Sequence, residues 1–203
     1  MTGFMPDLEQ HYAVAAQIPA QARLIGSVTM ATGLDMFSDE DSSDHGDAGG
    51  EPSQYWVIVD STGRLQGRLG SVRAFPPVRD VIVLVSHATP DSYLQHLAQA
   101  GVPYLMAGDA HVDLQDALRQ LAEHWSVTEV VVDSGPTLTS VLLSQHLVDE
   151  VSLLLHPVVV GAPGAALFSE VRGPVGMRLE SCQTARGGTV SLRYTTPDDA
   201  PTT

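Results

Sequence analysis

The sequence predicts an α/β protein with a mostly parallel sheet and an antiparallel edge. In the middle of the chain, short apolar runs alternate three times with segments whose apolar residues recur at helical spacing. This alternation is typical of parallel strands joined by crossover helices. Near the C-terminus, two strand-like runs flank Arg186-Gly187-Gly188, which indicates a hairpin and therefore an antiparallel contribution.

The first half of the chain predicts the following elements. A helix in MPDLEQHYAVAAQI precedes a strand in ARLIGSVTM, where a Gly turn places Thr29 at the entry to a second helix. The acidic, Gly- and Ser-rich segment Ser38–Gln54 predicts a flexible loop. YWVIVD predicts a strand, STGRLQGRLG a turn-rich connection, and DVIVLVS a buried strand.

The second half continues the alternation. TPDSYLQHLAQAG has a Thr cap, Pro at the first helical position and a closing Gly, which together predict a helix. VPYLMAG predicts a strand and VDLQDALRQLAEHW an amphipathic helix. TEVVVDS predicts a strand, PTLTSVLLSQHL a helix, and DEVSLLLHPVVVG a long strand before the terminal hairpin.

Composition limits the function classes. The chain has 203 residues, 43% of them hydrophobic, which suits one domain with a substantial core. The net charge is −14, and all 10 basic residues are arginines. Nucleic acids and anionic membranes are therefore unexpected partners, because both require clustered cations.

Cysteine usage and the N-terminal sequence predict a cytoplasmic protein. Cys182 is the single cysteine, so an intramolecular disulfide is excluded, and its place in a hairpin strand predicts a packed, inert thiol. The N-terminal residues lack the basic and apolar regions of a secretory signal, and no apolar run is long enough to span a bilayer.

Small and polar residues follow the predicted strands. If the strands are parallel neighbours, these exits line one edge of the sheet, where ligands bind in open α/β folds. The exits are Gly26–Thr29, Asp60-Ser61, Ser86-His87, Ala107–Asp109 and Asp133–Thr137.

Two interpretations of Asp133-Ser134-Gly135-Pro136 remain open on spacing alone. A helix beginning there would offer free N–H groups to a phosphate, but strand-to-helix turns use Ser, Gly and Pro without any ligand. The corner matches neither common phosphate-binding motif. The eight histidines show no metal-binding spacing, so no metal is predicted.

Three stretches carry a resemblance to a known family. ARLIGSVTM is similar to a strand–Gly–Arg–x–Thr–Met turn, and YWVIVDSTGRL to a strand ending in Asp-Ser. VVVDSGPTLTSVLLSQHLVDEVSLLLHPVVVG is similar to a strand, a Glu-Gly-Gly corner, a helix and an LvDE…PvivG strand. In this order they resemble the RibD C-terminal (pyrimidine reductase) family, which has a dihydrofolate-reductase-like fold.

The resemblance implies a three-layer αβα domain over residues 1–197, and the sequence itself predicts a disordered tail at 198–203. It implies an NADPH-dependent reductase of the riboflavin pathway that transfers hydride to C1′ of the ribosyl group of a ribosylaminopyrimidine 5′-phosphate. It also implies a homodimer. Carried over by position, the cofactor-binding residues are Gly26, Ser27, Thr29, Ser61, Ser86, Gly108, Asp133, Ser134, Gly135, Pro136 and Thr137.

The sequence departs from the family pattern at three points. The family's first strand and turn, resembling RPYV…MSLDG, precede the first residue here, and the substrate-facing residues fall largely there, so no catalytic acid is assigned. The family's Arg after the turn glycine is Ser27, and its Glu-Gly-Gly-Gly corner is Asp133-Ser134-Gly135-Pro136. Proline lacks an N–H, and Ser134 adds a Cβ. An alternative hypothesis is therefore a diverged, catalytically weak or inactive homologue that serves as a binding or structural subunit.

Overall fold

A parallel sheet forms because the apolar runs of the first two thirds of the chain are joined by helices. A computed structural model of the chain describes residues 8–15, 17–38, 53–75, 78–161 and 166–197. The chain divides into two units, Ile18–Gly135 (the sheet unit) and Met1–Gln17 with Pro136–Thr203 (the hairpin unit).

The sheet unit contains five strands and four helices among its described residues. They are, in chain order, β1 (Ala22–Gly26), α2 (Ser27–Ser38), β2 (Gln54–Val59), α3 (Leu69–Arg73), β3 (Val78–Val85), α4 (Asp91–Gln99), β4 (Tyr104–Met106), α5 (Leu114–Trp125) and β5 (Val130–Val132). The first helix of the chain, α1 (Leu8–Ala15), belongs to the hairpin unit.

The five strands pair in the order β4-β3-β2-β1-β5, and every pairing is parallel. β3 has the continuous apolar run of a strand that is covered on both faces, and its residues 81 to 85 are all fully buried. Each such side chain contributes about 1.5–3 kcal/mol through burial. The core cluster extends from β3 to Ile58 of β2, Tyr93 and Leu97 of α4, and Leu34 of α2.

The hairpin unit contains α6 (Pro136–Ser144), β6 (Glu150–Leu155), β7 (Arg178–Thr184) and β8 (Val190–Thr195). Its strands form a separate antiparallel sheet in the order β6-β8-β7. The predicted α/β class, with a mostly parallel sheet and an antiparallel C-terminal hairpin, is confirmed. The hairpin pairs with β6 in its own sheet.

The structure differs from the predicted elements at two helices. The connection after β2 contains the short helix α3, which forms because Leu69 and Val72, three residues apart, are both buried. Helix α4 begins at Asp91 with Pro90 as its N-cap, one residue later than predicted. The Thr89 hydroxyl instead accepts a hydrogen bond from the Ser86 N–H.

Two strand predictions also change. β6 ends at Leu155, before Pro157, which has no N–H to continue a ladder. The prediction that Cys182 is packed is wrong, because β7 is an edge strand and the thiol is exposed.

Several predicted segments fall wholly or largely outside the described residues. α2 ends at Ser38 and β2 begins at Gln54, and of the acidic loop predicted between them only Ser53 is described. The predicted tail at 198–203 also lies outside. Within the described ranges, no helix is both long enough and apolar enough to cross a bilayer.

Candidate functional site

The carboxyl ends of all five strands of the sheet unit lie at one edge, because every pairing is parallel. The predicted exits after β1, β2, β3, β4 and β5 are therefore brought to the same edge, as the sequence indicated. This is the edge at which open α/β sheets bind ligands.

The exits of β1 and β5 are joined by hydrogen bonds between backbone and hydroxyl groups. The Gly26 N–H donates to Ser134 Oγ at 3.0 Å, and the Gly135 N–H donates to Thr29 Oγ1 at 3.1 Å. The two hydroxyl oxygens lie 3.5 Å apart. We call these four residues the β1–β5 corner.

The β1–β5 corner leaves hydroxyl protons available. Ser134 Oγ and Thr29 Oγ1 each accept a hydrogen bond from a backbone N–H, so each hydroxyl can still donate its own proton. If one hydroxyl donates to the other, the second proton remains available to a ligand. Ser27 begins the 12-residue helix α2 directly after Gly26, and the first turn of α2 has no acidic residue. Because the first N–H groups of a helix lack intrahelical acceptors and carry partial positive charge, the corner suits a phosphate.

Arg23 neutralises the carboxylate that would oppose an anion at this corner. Its guanidinium Nη1 lies 2.5 Å from Asp133 Oδ2, and only 12% of the Arg23 side chain is exposed. Arg23 and Val131 are register partners, so the Arg23 and Asp133 side chains lie on the same face of the sheet. The pair was not predicted from the sequence, although an arginine within the apolar run of β1 is a signal that a charged partner lies nearby.

The exit of β2 is held by a buried carboxylate. Asp60 is 1% exposed, and its two oxygens accept the N–H groups of Arg64 (3.0 Å) and Leu65 (2.9 Å) and the hydroxyls of Tyr93 (3.0 Å) and Thr62 (3.3 Å). Burial, and then the charge and hydrogen bond of Asp60, raise the pKa of the Tyr93 phenol far above its ordinary value. Tyr93 therefore remains a neutral donor, and the hydrogen bonds to Asp60 hold the loop after β2 in place.

The predicted groove residues have different exposures. Ser61 is partly exposed beside Asp60. Ser86 is fully buried, and its hydroxyl donates to the Ala110 carbonyl at 3.5 Å, so Ser86 links the exit of β3 to the loop after β4. Gly108 has φ +80°, and a Cβ there would lie 2.3 Å from the His111 carbonyl oxygen, so the chain itself requires glycine.

Two of the predicted residues belong to the hairpin unit. Pro136 is the first residue of α6, a position where the missing N–H would have no intrahelical partner in any case. The Thr137 hydroxyl donates to Glu170 Oε1 at 3.1 Å. The roles predicted for Pro136 and Thr137 at a cofactor stay predictions. Among the residues that the structure describes, no group of three or more His, Cys, Asp or Glu side chains could hold a metal ion.

The chain is similar to proteins of the riboflavin pathway. The family model described as the RibD C-terminal domain matches residues 9–191. A 2,5-diamino-6-ribosylamino-4(3H)-pyrimidinone 5′-phosphate reductase of Archaeoglobus fulgidus is 29% identical over 113 residues, which cover 56% of this chain and 49% of the relative. The match thus spans about half the length of that curated relative.

Solved structures show the same fold. A pyrimidine reductase-like protein from Corynebacterium diphtheriae superposes with a TM-score of 0.66 at 17% identity, covering 89% of this chain and 77% of that one. The RibD protein of Acinetobacter baumannii superposes with a TM-score of 0.69 at 21% identity, covering 97% of this chain and 52% of that one. With a family model that matches most of its length, the chain belongs to the RibD C-terminal domain family.

Proposed function

We propose that the protein is an NADPH-dependent reductase that acts on a ribosylaminopyrimidine 5′-phosphate. The observation that carries the proposal is the β1–β5 corner, where free hydroxyl protons and the start of α2 meet at the ligand-binding edge. Membership of the family and the printed activity of the Archaeoglobus relative support the substrate class.

The residues of the β1–β5 corner fit a dinucleotide pyrophosphate. The Ser134 and Thr29 hydroxyls would donate to its oxygens, and the free N–H groups from Ser27 onward would add the partial charge of the α2 terminus. A glycine at position 134 would allow the backbone to approach the pyrophosphate closely, and the Ser134 hydroxyl would contact it instead. Asp133 does not repel the anion, because Arg23 pairs with it.

The chain's own contribution to the reaction is orientation and charge. When bound, the dinucleotide supplies a hydride to C1′ of the open-chain form of the ribosyl group. The fixed loops at Ser61 and Gly108 would shape the groove that holds the two molecules together, and such positioning accounts for much of the rate in hydride transfer. The diaminopyrimidinone and aminouracil forms of the substrate both fit this chemistry.

The binding experiment is a titration of NADPH against the pure protein, followed by the fluorescence of the reduced nicotinamide. We expect saturable binding at sub-millimolar cofactor. Ser134→Ala removes both the acceptor of Gly26 and a free hydroxyl proton, and should weaken binding about tenfold. Ser92→Ala, at an exposed position of α4, is the matched control and should leave the affinity unchanged.

The outcomes separate the alternatives. Absence of saturable NADPH binding by the wild-type protein would refute the proposal. Binding without oxidation of NADPH by either ribosylaminopyrimidine 5′-phosphate would favour the alternative of a binding or structural subunit.

We also propose that the protein acts as a cytoplasmic homodimer without a nucleic-acid or membrane partner. The hairpin unit exposes large apolar side chains from the end of β6 to the start of β7. They are Leu155, Val158, Val159, Val160, Leu167, Met177 and Leu179. Large apolar side chains that are exposed in this number are typical of an interface between subunits. The molar mass in solution tests this, and a monomer would contradict it.

A further inference from the structure

An acidic side chain of the hairpin unit occupies a hydroxyl that the sequence predicts as a cofactor ligand. The Thr137 hydroxyl donates to Glu170 Oε1 at 3.1 Å, and both residues are exposed. A threonine hydroxyl has one proton to donate, so Thr137 cannot donate to Glu170 and to a phosphate at the same time. The contact therefore excludes a hydrogen bond from Thr137 to a phosphate for as long as it persists.

The backbone of Glu170 is held beside the same helix. Its N–H donates to Ser140 Oγ at 3.3 Å, and Ser140 is a fully buried residue of α6. Thr137 and Ser140 are three residues apart, so they lie on the same face of the helix. The backbone bond keeps the carboxylate within reach of Thr137, while the exposed Glu170 side chain can rotate away without breaking that bond.

The position of Thr137 explains why an anion is found there. Thr137 is the second residue of α6, and the first N–H groups of a helix lack intrahelical acceptors and carry partial positive charge. The first turn of α6 contains no acidic residue of its own, and Glu170 supplies the negative charge from elsewhere in the hairpin unit. A carboxylate and a phosphate offer the same kind of oxygen acceptor, so the two groups compete for one hydroxyl.

We propose that Glu170 is an autoinhibitory group, which must release the Thr137 hydroxyl before a phosphate of the dinucleotide can accept its proton. The inference rests on the proposed function, because it requires a dinucleotide that reaches Thr137, two residues after Gly135 of the β1–β5 corner. Release is a rotation of the Glu170 side chain, in which the hydrogen bond to Glu170 breaks and one to a phosphate oxygen replaces it. The phosphate also repels the nearby carboxylate, which adds to the cost of binding.

The test measures the dissociation constants of NADPH and of inorganic pyrophosphate by calorimetry. Glu170→Gln removes the charge at nearly unchanged size, and should tighten the binding of both ligands about fivefold to thirtyfold. The control is Asp149→Asn, which changes the net charge equally at an exposed position beyond the carboxyl end of α6. It should leave both constants within about twofold of the wild type, because a distant exposed charge is screened.

Two further measurements identify the mechanism. In a Thr137→Val background, the added Glu170→Gln change should give a gain in affinity that is about threefold smaller or less, because no hydroxyl remains to be released. The gain in Glu170→Gln should also shrink as the ionic strength rises from about 0.02 M to about 0.5 M, since Glu170 is exposed. The melting temperature of Glu170→Gln without ligand should equal that of the wild type, because an exposed pair contributes little to stability.

The outcomes separate this inference from the proposed function. Unchanged or weaker binding of both ligands by Glu170→Gln, or equal tightening by Asp149→Asn, overturns the inference and leaves the dinucleotide site standing. The same gain with and without the Thr137 hydroxyl overturns the competition. Binding of NADPH by Glu170→Gln but not by the wild type supports the inference and refutes the proposed function of the unaltered chain. Binding by neither protein overturns both.

Discussion

Replacing Asp60 with asparagine is expected to destabilise the protein by about 2–4 kcal/mol. Each oxygen of the buried carboxylate accepts one backbone N–H and one hydroxyl: Oδ1 from Arg64 and Thr62, and Oδ2 from Leu65 and Tyr93. An amide has one acceptor oxygen, so its NH2 group must face one of these pairs in either orientation.

The magnitude follows from what each donor can do. A hydroxyl facing the NH2 group can rotate and accept, but the backbone N–H beside it loses its acceptor, at a cost of about 1–3 kcal/mol for a buried N–H such as that of Leu65. The bonds that remain lose the assistance of the charge, which adds about 1 kcal/mol. The protein would therefore lose a large part of an ordinary free energy of unfolding.

The assay is urea unfolding at neutral pH, with Asp113→Asn as the matched control. Asp113 caps α5 by accepting the Asp116 N–H at 3.0 Å, and asparagine caps helices as well as aspartate does. Asp113→Asn should therefore lie within about 0.5 kcal/mol of the wild type, with the same change in net charge. A free energy of unfolding for Asp60→Asn within about 1 kcal/mol of that for Asp113→Asn would be too small for the loss of a buried hydrogen bond. It would show that the hydrogen bonds of Asp60 do not hold the loop after β2.

Three further predictions concern stability and assembly. Because the pKa of Tyr93 is raised in the folded state, only the unfolded state releases the phenol proton just above pH 10. The free energy of unfolding should therefore fall in this range by up to about 1.4 kcal/mol per pH unit relative to Tyr93→Phe. Parallel alkaline stability profiles of the two proteins would refute this. Gly108→Ala should lower the free energy of unfolding in urea by about 2 kcal/mol or more, because its Cβ would clash with the His111 carbonyl. The control Gly33→Ala, in α2, places a Cβ where nothing lies within 4 Å, and should be neutral or stabilising. Val159→Asp, at a side chain that is 97% exposed, should convert the proposed homodimer to a monomer in light scattering, and an unchanged dimeric molar mass would place the interface elsewhere.

The sequence predicted the fold because its strongest signals are local. The continuous apolar run of β3 and the amphipathic pattern of α5 each fix an element without reference to the rest of the chain. Helix α3 was missed because five residues carry too little periodicity, and only the burial of Leu69 and Val72 reveals it. The end of β6 before Pro157 was foreseeable, since the missing N–H is visible in the sequence.

The candidate site was predictable in its place but not in its contacts. Ser134 and Gly135 could be placed at a strand exit, but their partners, Gly26 and Thr29, lie more than 100 residues earlier in the chain. No local spacing encodes such a pair, because strand order decides which exits become neighbours.

The most direct measurement of the proposed reductase activity uses NADPH deuterated at C4 of the nicotinamide, with each epimer tested in turn. The wild-type protein is mixed with the ribosylaminopyrimidine 5′-phosphate, and the product is analysed by mass spectrometry and NMR. We predict a ribityl product that carries a single deuterium at C1′ with one epimer and none with the other. A product without deuterium from either epimer, or no product at cofactor concentrations that saturate the protein, would contradict hydride transfer by this site.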